Sequence, residues 1–150
     1  MPDYFRLRFV IEGVPELSRI LMLKHKQLSN FKKPLMKASS LILGDVETQF
    51  KTEGGLSGGW KPLALSTIQG RVRAGFGGGH PILQQTGKLR HSFYKNVDNK
   101  RAFISSKSPY YGFHQSRGAR TKLPRRPMLL LTERTRQNIV AEFHKFLRFK

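Results

Sequence analysis

The sequence has no cysteine and few acidic residues. The lack of cysteine excludes disulfide scaffolds, thiol catalysis, iron–sulfur clusters and cysteine-ligated zinc. No apolar run approaches the roughly 20 residues that a membrane-spanning helix needs, and residues 1–6 lack the basic and apolar regions of a secretory signal. We therefore expect a soluble, non-secreted protein without a membrane partner.

The scarcity of acidic side chains leaves a large positive charge. The 150 residues contain 28 Lys and Arg against 9 Asp and Glu, a formal net charge of +19, and only Asp98, Glu133 and Glu142 are acidic in residues 71–150. This charge favours an anionic partner, although it also confers non-specific affinity for nucleic acids. Because 38% of the residues are hydrophobic, the chain has enough apolar material to fold, and its length predicts one domain, residues 1–150.

Three segments are typical of β-strands. In residues 4–12, apolar side chains from Phe5 to Ile11 recur with a period of two, which predicts a half-buried strand. Residues 92–97 and 101–106 predict two further strands, joined as a hairpin at Asp98 and Asn99. These segments predict a small, mostly antiparallel sheet.

Apolar residues at helical spacing predict several helices. The first spans about residues 17–28, and the second runs from an N-cap at Ser29 or Asn30 to about Lys51. Gly44 lies within the second helix, where glycine is unfavourable, and a close packing contact would explain its presence. The apolar stripe of the second helix is Phe31, Leu35, Ala38, Ile42, Val46 and Phe50. Short helical segments are expected at 66–73 and 86–91. A last helix begins after the N-cap Thr132 and places Ile139, Val140, Phe143 and Leu147 on one face. We therefore expect an α+β fold, with the sheet packed against long amphipathic helices.

Two further segments lack the pattern of regular structure. Nine of the 14 glycines lie between Gly54 and Gly79, around the single tryptophan, Trp60, and predict a Gly-rich loop. The segment from Ser116 to Pro127 contains five cations and no acid, and Gly118 and two prolines argue against a regular element. We expect an extended, exposed basic arm there.

Recognisable catalytic and ligand-binding motifs are missing. The sequence has no P-loop, no dinucleotide fingerprint, no HExxH pair and no GxSxG turn, and its five histidines lack metal-ligand spacing. We predict no catalytic residue, no metal site and no cofactor. A nuclease assembled from scattered residues and nucleotide binding by the Gly-rich loop are the less favoured alternatives. The aromatic residues among the cations at 90–95 and 110–114 are interpreted as core, with base stacking as the alternative.

Four segments in order resemble a known family. They are Trp60-Lys61-Pro62-Leu63 with Thr67; the stretch ILQQTGKLRHS at 82–92; Tyr110 to Gly118, which includes His114-Gln115; and LPRRPML at 123–129. Together they resemble the phage virion morphogenesis family, the tail-completion proteins of Mu-like and P2-like tailed phages. The pattern of that family runs WxPL, ILxxTGxLRxS, a YxxxHQxG-like stretch and PxRP before a C-terminal helix. The resemblance covers residues 60–150, while residues 1–59 agree in layout.

The resemblance implies a non-enzymatic structural protein of a tailed-phage virion that is needed for head–tail joining. It implies a neck location after assembly in the host cytoplasm, and a homo-oligomeric ring, a hexamer or a dodecamer by analogy with neck rings. Its partners would be neighbouring neck and tail proteins, with genomic DNA near the lumen and no small-molecule substrate. A free cationic nucleic-acid-binding protein is the alternative.

Within this interpretation, two sets of residues are candidate contacts. The DNA or partner contacts expected on the basic arm are Arg117, Arg120, Lys122, Arg125 and Arg126. The expected subunit contacts are Trp60 and the loop Gly75, Phe76, Gly77, Gly78 and Gly79. For Trp60, burial in the core is an equally weighted alternative.

Overall fold

A computed structural model describes residues 14–116 and 123–148 of the chain. Within these residues the chain forms five α-helices and one two-stranded antiparallel sheet. In chain order the elements are α1 (Val14–Leu28), α2 (Lys32–Lys51), α3 (Leu65–Arg73), β1 (Phe93–Val97), β2 (Ala102–Ser106), α4 (Tyr111–Gln115) and α5 (Glu133–Leu147). The predicted α+β class with a small antiparallel sheet is confirmed. The predicted strand at 4–12 lies outside the described residues.

The predicted hairpin is confirmed, with each strand beginning one residue later than expected. β1 pairs with β2 so that Lys95 faces Ile104. Asp98 organises the turn, because its Oδ1 accepts hydrogen bonds from the backbone nitrogens of Lys100 and Arg101, each over 2.7 Å. A short acidic side chain that binds the backbone two and three residues ahead is typical of such turns.

The helix α2 is the element against which α5 and both strands pack. It begins at Lys32, and Phe31 occupies the N-cap position without a side-chain cap, so the predicted N-cap lies too early. The Asn30 Oδ1 nevertheless accepts a hydrogen bond from the backbone nitrogen of Lys32 over 3.0 Å, which satisfies one of the free N–H groups at the helix start. Pro34 lies in the first turn, where its missing N–H breaks no helical bond.

The buried core is centred on Phe50 of α2. Its buried apolar residues are Val46, Phe50, Trp60, Ile82 and Met128. The Phe50 ring meets Trp60 edge-on, with ring centroids 5.4 Å apart, and meets Phe93 at 6.0 Å. Residues from the loop after α2, from 82–93 and from the segment before α5 thus pack on the predicted apolar stripe of α2.

Gly44 in the middle of α2 and Gly54 in the loop after it have different environments. Gly44 is exposed, and a Cβ atom placed on it would have no heavy atom within 4 Å, so the predicted packing contact is wrong. Gly54 has a φ of +92°, and a Cβ there would lie 2.7 Å from the backbone nitrogen of Trp60. Of these two positions, only Gly54 requires glycine.

The remaining helix predictions differ in outcome. Thr132 caps α5 as predicted, because its Oγ1 accepts a hydrogen bond from the Thr135 nitrogen over 3.1 Å. Val140, however, is exposed rather than on the packed face. It is adjacent to Ile139, and one residue is about 100° around a helix. The helix expected at 86–91 is reduced to a 3-10 turn, Arg90–Ser92.

Candidate functional site

The first and fourth segments of the resemblance meet at one carbonyl group. The indole Nε1 of Trp60 donates a hydrogen bond to the Pro127 oxygen over 3.0 Å. Gln49 Nε2 donates to the same oxygen over 2.9 Å. Trp60 is only 6% exposed, so the structure places it in the core, where it offers little surface for a subunit contact.

The third segment binds the fourth through Gln115 at the end of α4. Gln115 Oε1 accepts hydrogen bonds from the backbone nitrogens of Met128 and Leu129, each over 3.0 Å, and its Nε2 donates to the Leu129 oxygen over 2.6 Å. The side-chain amide therefore pairs with an extended backbone as a neighbouring strand would.

Arg126 links the first, third and fourth segments. Its Nε and Nη2 donate to the carbonyl oxygens of Lys61 and Pro62, each over 2.9 Å, and its backbone nitrogen donates to the His114 oxygen over 3.0 Å. The side chain is 3% exposed, and burial lowers the pKa of Arg126. The expectation that Arg126 projects its charge outward is therefore wrong, because the guanidinium donors are directed at main-chain carbonyls inside the protein.

The second segment is bound to α2. Arg90 Nε donates to Glu47 Oε2 over 3.0 Å, and Arg90 also contacts Glu47 through Nη2. These hydrogen bonds lower the pKa of Glu47 and raise that of Arg90. Gln84 Nε2 donates to the Phe50 oxygen over 2.8 Å and its Oε1 accepts from Arg90 Nη1 over 3.0 Å. The first, third and fourth segments therefore contact one another directly, and the second is connected to them through α2, which also binds Pro127. We call this set of contacts the motif joint.

A cavity of about 590 Å³ adjoins the motif joint. Apolar residues, among them Pro62, Leu63, Leu83 and Leu123, form part of its lining. Three buried cationic or titratable side chains, Arg71, His114 and Arg126, also line it. We call this cavity the Arg71 pocket.

Two polar atoms of the Arg71 pocket lack a hydrogen-bond partner among the described residues. Arg71 donates from Nη1 and Nη2 to the Pro81 oxygen, each over 3.2 Å, whereas its buried Nε has no partner. The Nδ1 of His114 is likewise buried and unpartnered. Burial, together with the positive charge of Arg126, lowers the pKa of His114, so the ring is favoured in its neutral form.

The Arg71 pocket was not foreseen from the sequence. In the sequence, His114 is one of five histidines without metal-ligand spacing, and Arg71 is one of 28 cations with nothing to set it apart. Only the return of the chain at 123–126 beside α3 and α4 brings the two side chains to one cavity. No sequence signal at Arg71 could have predicted its burial.

The other predicted contact residues lie in three places. Arg125 is exposed, with its Nε donating to the Gln115 oxygen over 3.3 Å, and it remains a candidate contact. Residues 74–80 form turns and bends after α3, with Phe76 exposed, so the predicted subunit contact there also stays a prediction. Arg117, Arg120 and Lys122 lie outside the described residues.

Large apolar side chains are exposed along α1. Those at positions 20 to 23 and 28 are between 40 and 74% exposed: Ile20, Leu21, Met22, Leu23 and Leu28. Consecutive residues lie about 100° apart around a helix, so these side chains leave apolar surface exposed around most of α1. Exposed apolar surface of this kind is typical of a region that contacts another molecule. In 14–116 and 123–148, no helix has the length and apolarity required to cross a membrane.

The described part of the chain contains no group of three His, Asp or Glu side chains placed to hold a metal ion. In comparisons with known proteins, no family model, no curated protein and no solved structure matches this chain.

Proposed function

We propose that this chain is a non-enzymatic structural subunit of a tailed-phage virion, a tail-completion or neck protein needed for head–tail joining. The observation that supports this proposal is the motif joint. Trp60, Gln115 and Arg126 each bind the main chain of another segment of the resemblance. Residues with such roles specify a fold rather than a reaction, as expected if the resemblance reflects a shared architecture.

The exposed apolar side chains of α1 support the assembly role. A ring subunit must bury apolar surface against its neighbours, and Leu21 and Leu23 are more than half exposed in the isolated chain. In this proposal, α1 and the loop at Gly75–Gly79 contact adjacent subunits or neighbouring neck and tail proteins.

The distribution of charge supports an anionic neighbour such as genomic DNA. Beyond residue 17, every acidic side chain that the structure describes accepts a hydrogen bond within the chain; these are Asp45, Glu47, Glu53, Asp98, Glu133 and Glu142. These acids are therefore engaged within the chain, and the cations far outnumber them, which favours an anionic partner. Arg125 is the described residue of the basic arm that remains exposed.

The direct test is electron microscopy of lysates from the phage that encodes this chain, with the gene inactivated and with an intact copy supplied as control. We expect DNA-filled heads and complete tails that are not joined. Joined, infectious particles without the gene would contradict the proposal.

A complementation series tests the contact residues. The substitution Arg125→Glu should reduce joining, whereas Arg134→Glu, the same charge reversal at an exposed position on α5, serves as the matched control. For the subunit surface, Leu21→Glu with Leu23→Glu should reduce the mass of the assembled species in light scattering. Equal complementation by every variant would remove these surfaces from the mechanism.

The alternative is a free nucleic-acid-binding protein, which the excess of cations over acids also favours. It predicts a monomer that binds duplex DNA tightly, with an affinity that falls by several decades between low and moderate salt. Such a monomer, together with normal particle assembly in the absence of the gene, would replace the virion proposal.

A further inference from the structure

The hairpin of β1 and β2 presents one of its two faces to solvent. Directly opposite residues of an antiparallel pair lie on the same face, and the register pairs Tyr94 with Ser105 and Asn96 with Phe103. Tyr94 is 43% exposed and Phe103 is 56% exposed. Phe93, the neighbour of Tyr94, lies on the other face and packs against α2. We call the surface formed by Tyr94, Asn96, Phe103 and Ser105 the hairpin outer face.

A cation extends the hairpin outer face at one end. The backbone nitrogen of Lys107 donates a hydrogen bond to the Ser92 oxygen over 3.0 Å, which continues the ladder by one pair and places Lys107 on the same face as Tyr94. The Lys107 Nζ lies 5.7 Å from the centroid of the Tyr94 ring, within the range of a cation–π contact. An exposed ammonium group is therefore held beside an exposed aromatic ring.

The charge around the hairpin outer face is positive. Lys100 and Arg101 are exposed at the turn, and Lys107 is exposed at the opposite end. Asp98 is the only acidic residue between positions 93 and 107, and its Oδ1 already accepts two hydrogen bonds from the backbone of the turn. Exposed aromatic rings between groups of cations complement a polyanion that carries planar rings of its own.

We propose that the hairpin outer face is a binding site for single-stranded nucleic acid, with one base stacked on Tyr94 and another on Phe103. Side chains at diagonal positions of a sheet face lie about 7–8 Å apart, so each ring can hold a separate base of an extended strand. The cations at the two ends of the face would lie along the phosphates. A duplex fits less well, because its base faces are stacked on one another and are not accessible to the two rings.

This inference goes beyond the virion role and does not depend on it. The excess of cations confers affinity for any nucleic acid, but that affinity acts through the phosphates and does not require the bases. Stacking on Tyr94 and Phe103 requires the bases. Binding that depends on the presence of bases is therefore the property that separates the hairpin outer face from the other cations of the chain.

The test measures binding of labelled strands to the full chain by fluorescence anisotropy, at an ionic strength of about 0.15 M. The probe is an oligothymidylate of about 12 nucleotides, a length within the range that one stacking surface binds. The control is an abasic strand of the same length and charge. We expect the oligothymidylate to bind at least about tenfold more tightly than the abasic strand. Equal binding of the two strands would overturn the proposal.

Variants connect the preference for bases to the hairpin outer face. Tyr94→Leu and Phe103→Leu each keep an apolar side chain and remove a ring, and each should weaken oligothymidylate binding at least about fivefold. Phe76→Leu, at an exposed aromatic position after α3, is the matched control and should leave binding within about twofold. Equal weakening by Phe76→Leu would contradict the site. If a variant does not fold, the comparison of the two strands on the unaltered chain decides.

Two further measurements identify what occupies the hairpin outer face. Oligouridylate and oligodeoxyuridylate of equal length, each compared with the abasic strand, distinguish RNA from DNA as the source of the bases, and base-dependent binding of either one supports the proposal. Light scattering of Tyr94→Leu and Phe103→Leu tests a second copy of the chain as the occupant. A lower assembled mass with unchanged oligothymidylate binding would assign the face to a contact between copies and overturn the proposal.

Discussion

The indole Nε1 of Trp60 donates a hydrogen bond to the backbone oxygen of Pro127 over 3.0 Å and so connects the loop after α2 to the segment that leads into α5. The two residues are 67 positions apart in the chain. The same indole ring packs edge-on against Phe50. One side chain therefore fills the core and holds together two of the segments on which the proposed function rests.

Substitutions at Trp60 should separate packing from hydrogen bonding. Trp60→Phe keeps most of the apolar volume and loses the N–H donor, while the Pro127 oxygen retains Gln49, so we expect a loss of about 1 kcal/mol plus a small packing cost. Trp60→Ala should cost about 3–5 kcal/mol. Because Trp60 is the only tryptophan, unfolding in urea is followed by far-UV circular dichroism. Leu65→Ala, at an exposed apolar position, is the control, and a loss there as large as at Trp60 would contradict this account.

Removal of the Gln115 side chain should release the segment before α5. Gln115→Ala deletes three hydrogen bonds to the backbone of Met128 and Leu129, and we expect a loss of about 1–3 kcal/mol. Hydrogen exchange at the amides of Met128 and Leu129 should accelerate. Gln137→Ala, at an exposed glutamine on α5, should leave both readouts nearly unchanged. Unaltered exchange at Met128 in Gln115→Ala would show that the amide does not hold the segment.

The two glycines of opposite environment should respond in opposite directions. Gly44→Ala places a methyl group in open space within a helix and should raise stability by about 0.5–1 kcal/mol. Gly54→Ala forces a residue with a side chain into a φ of +92° against Trp60. It should lower the stability by more than about 1 kcal/mol. Thermal unfolding of the two variants beside the parent tests this pair. Destabilisation by Gly44→Ala would indicate that the helix surface at Gly44 contacts something outside the isolated chain.

Stability should decrease as the pH falls, in two stages. His114 has a pKa lowered from 6.5 in the folded chain, so its contribution is complete above that unfolded value and is lost as the pH falls through the folded pKa. Four carboxyl groups also have lowered pKa values, those of Glu47, Asp98, Glu133 and Glu142. Their contribution is present above the ordinary values of 4.5 for Glu and 3.8 for Asp, and it is lost at lower pH.

The measurement for this prediction is the melting temperature against pH at constant ionic strength. We expect a shallow decline below about pH 6.5 and a steeper one below about pH 4.5. His114→Gln should remove most of the shallow stage, and Glu47→Gln should weaken the steep one. A melting temperature that rises on acidification to pH 4 would have the wrong sign.

The elements with strong local patterns could be predicted from the sequence. The apolar stripe of α2, the alternation and turn residues at 92–106, and the cap at Thr132 each depend on neighbours a few positions away, and the structure confirms these elements. Local patterns predicted less well whether the side chain at a single position is buried or exposed. Val140 and Gly44 are such positions, because the neighbours that bury a side chain come from other segments.

Composition and local periodicity determined that this chain is strongly cationic, independent of disulfides and α+β, with α1, α2, α3, the hairpin and α5 in the order observed. The tertiary structure alone decided which charges are turned inward. Arg126 and Arg71 are indistinguishable in sequence from the exposed Arg125 and Arg73, and their burial follows from carbonyl groups of Pro62 and Pro81 that lie 64 and 10 residues away. A guanidinium group is buried only where such acceptors converge, and that convergence is a property of the packed chain.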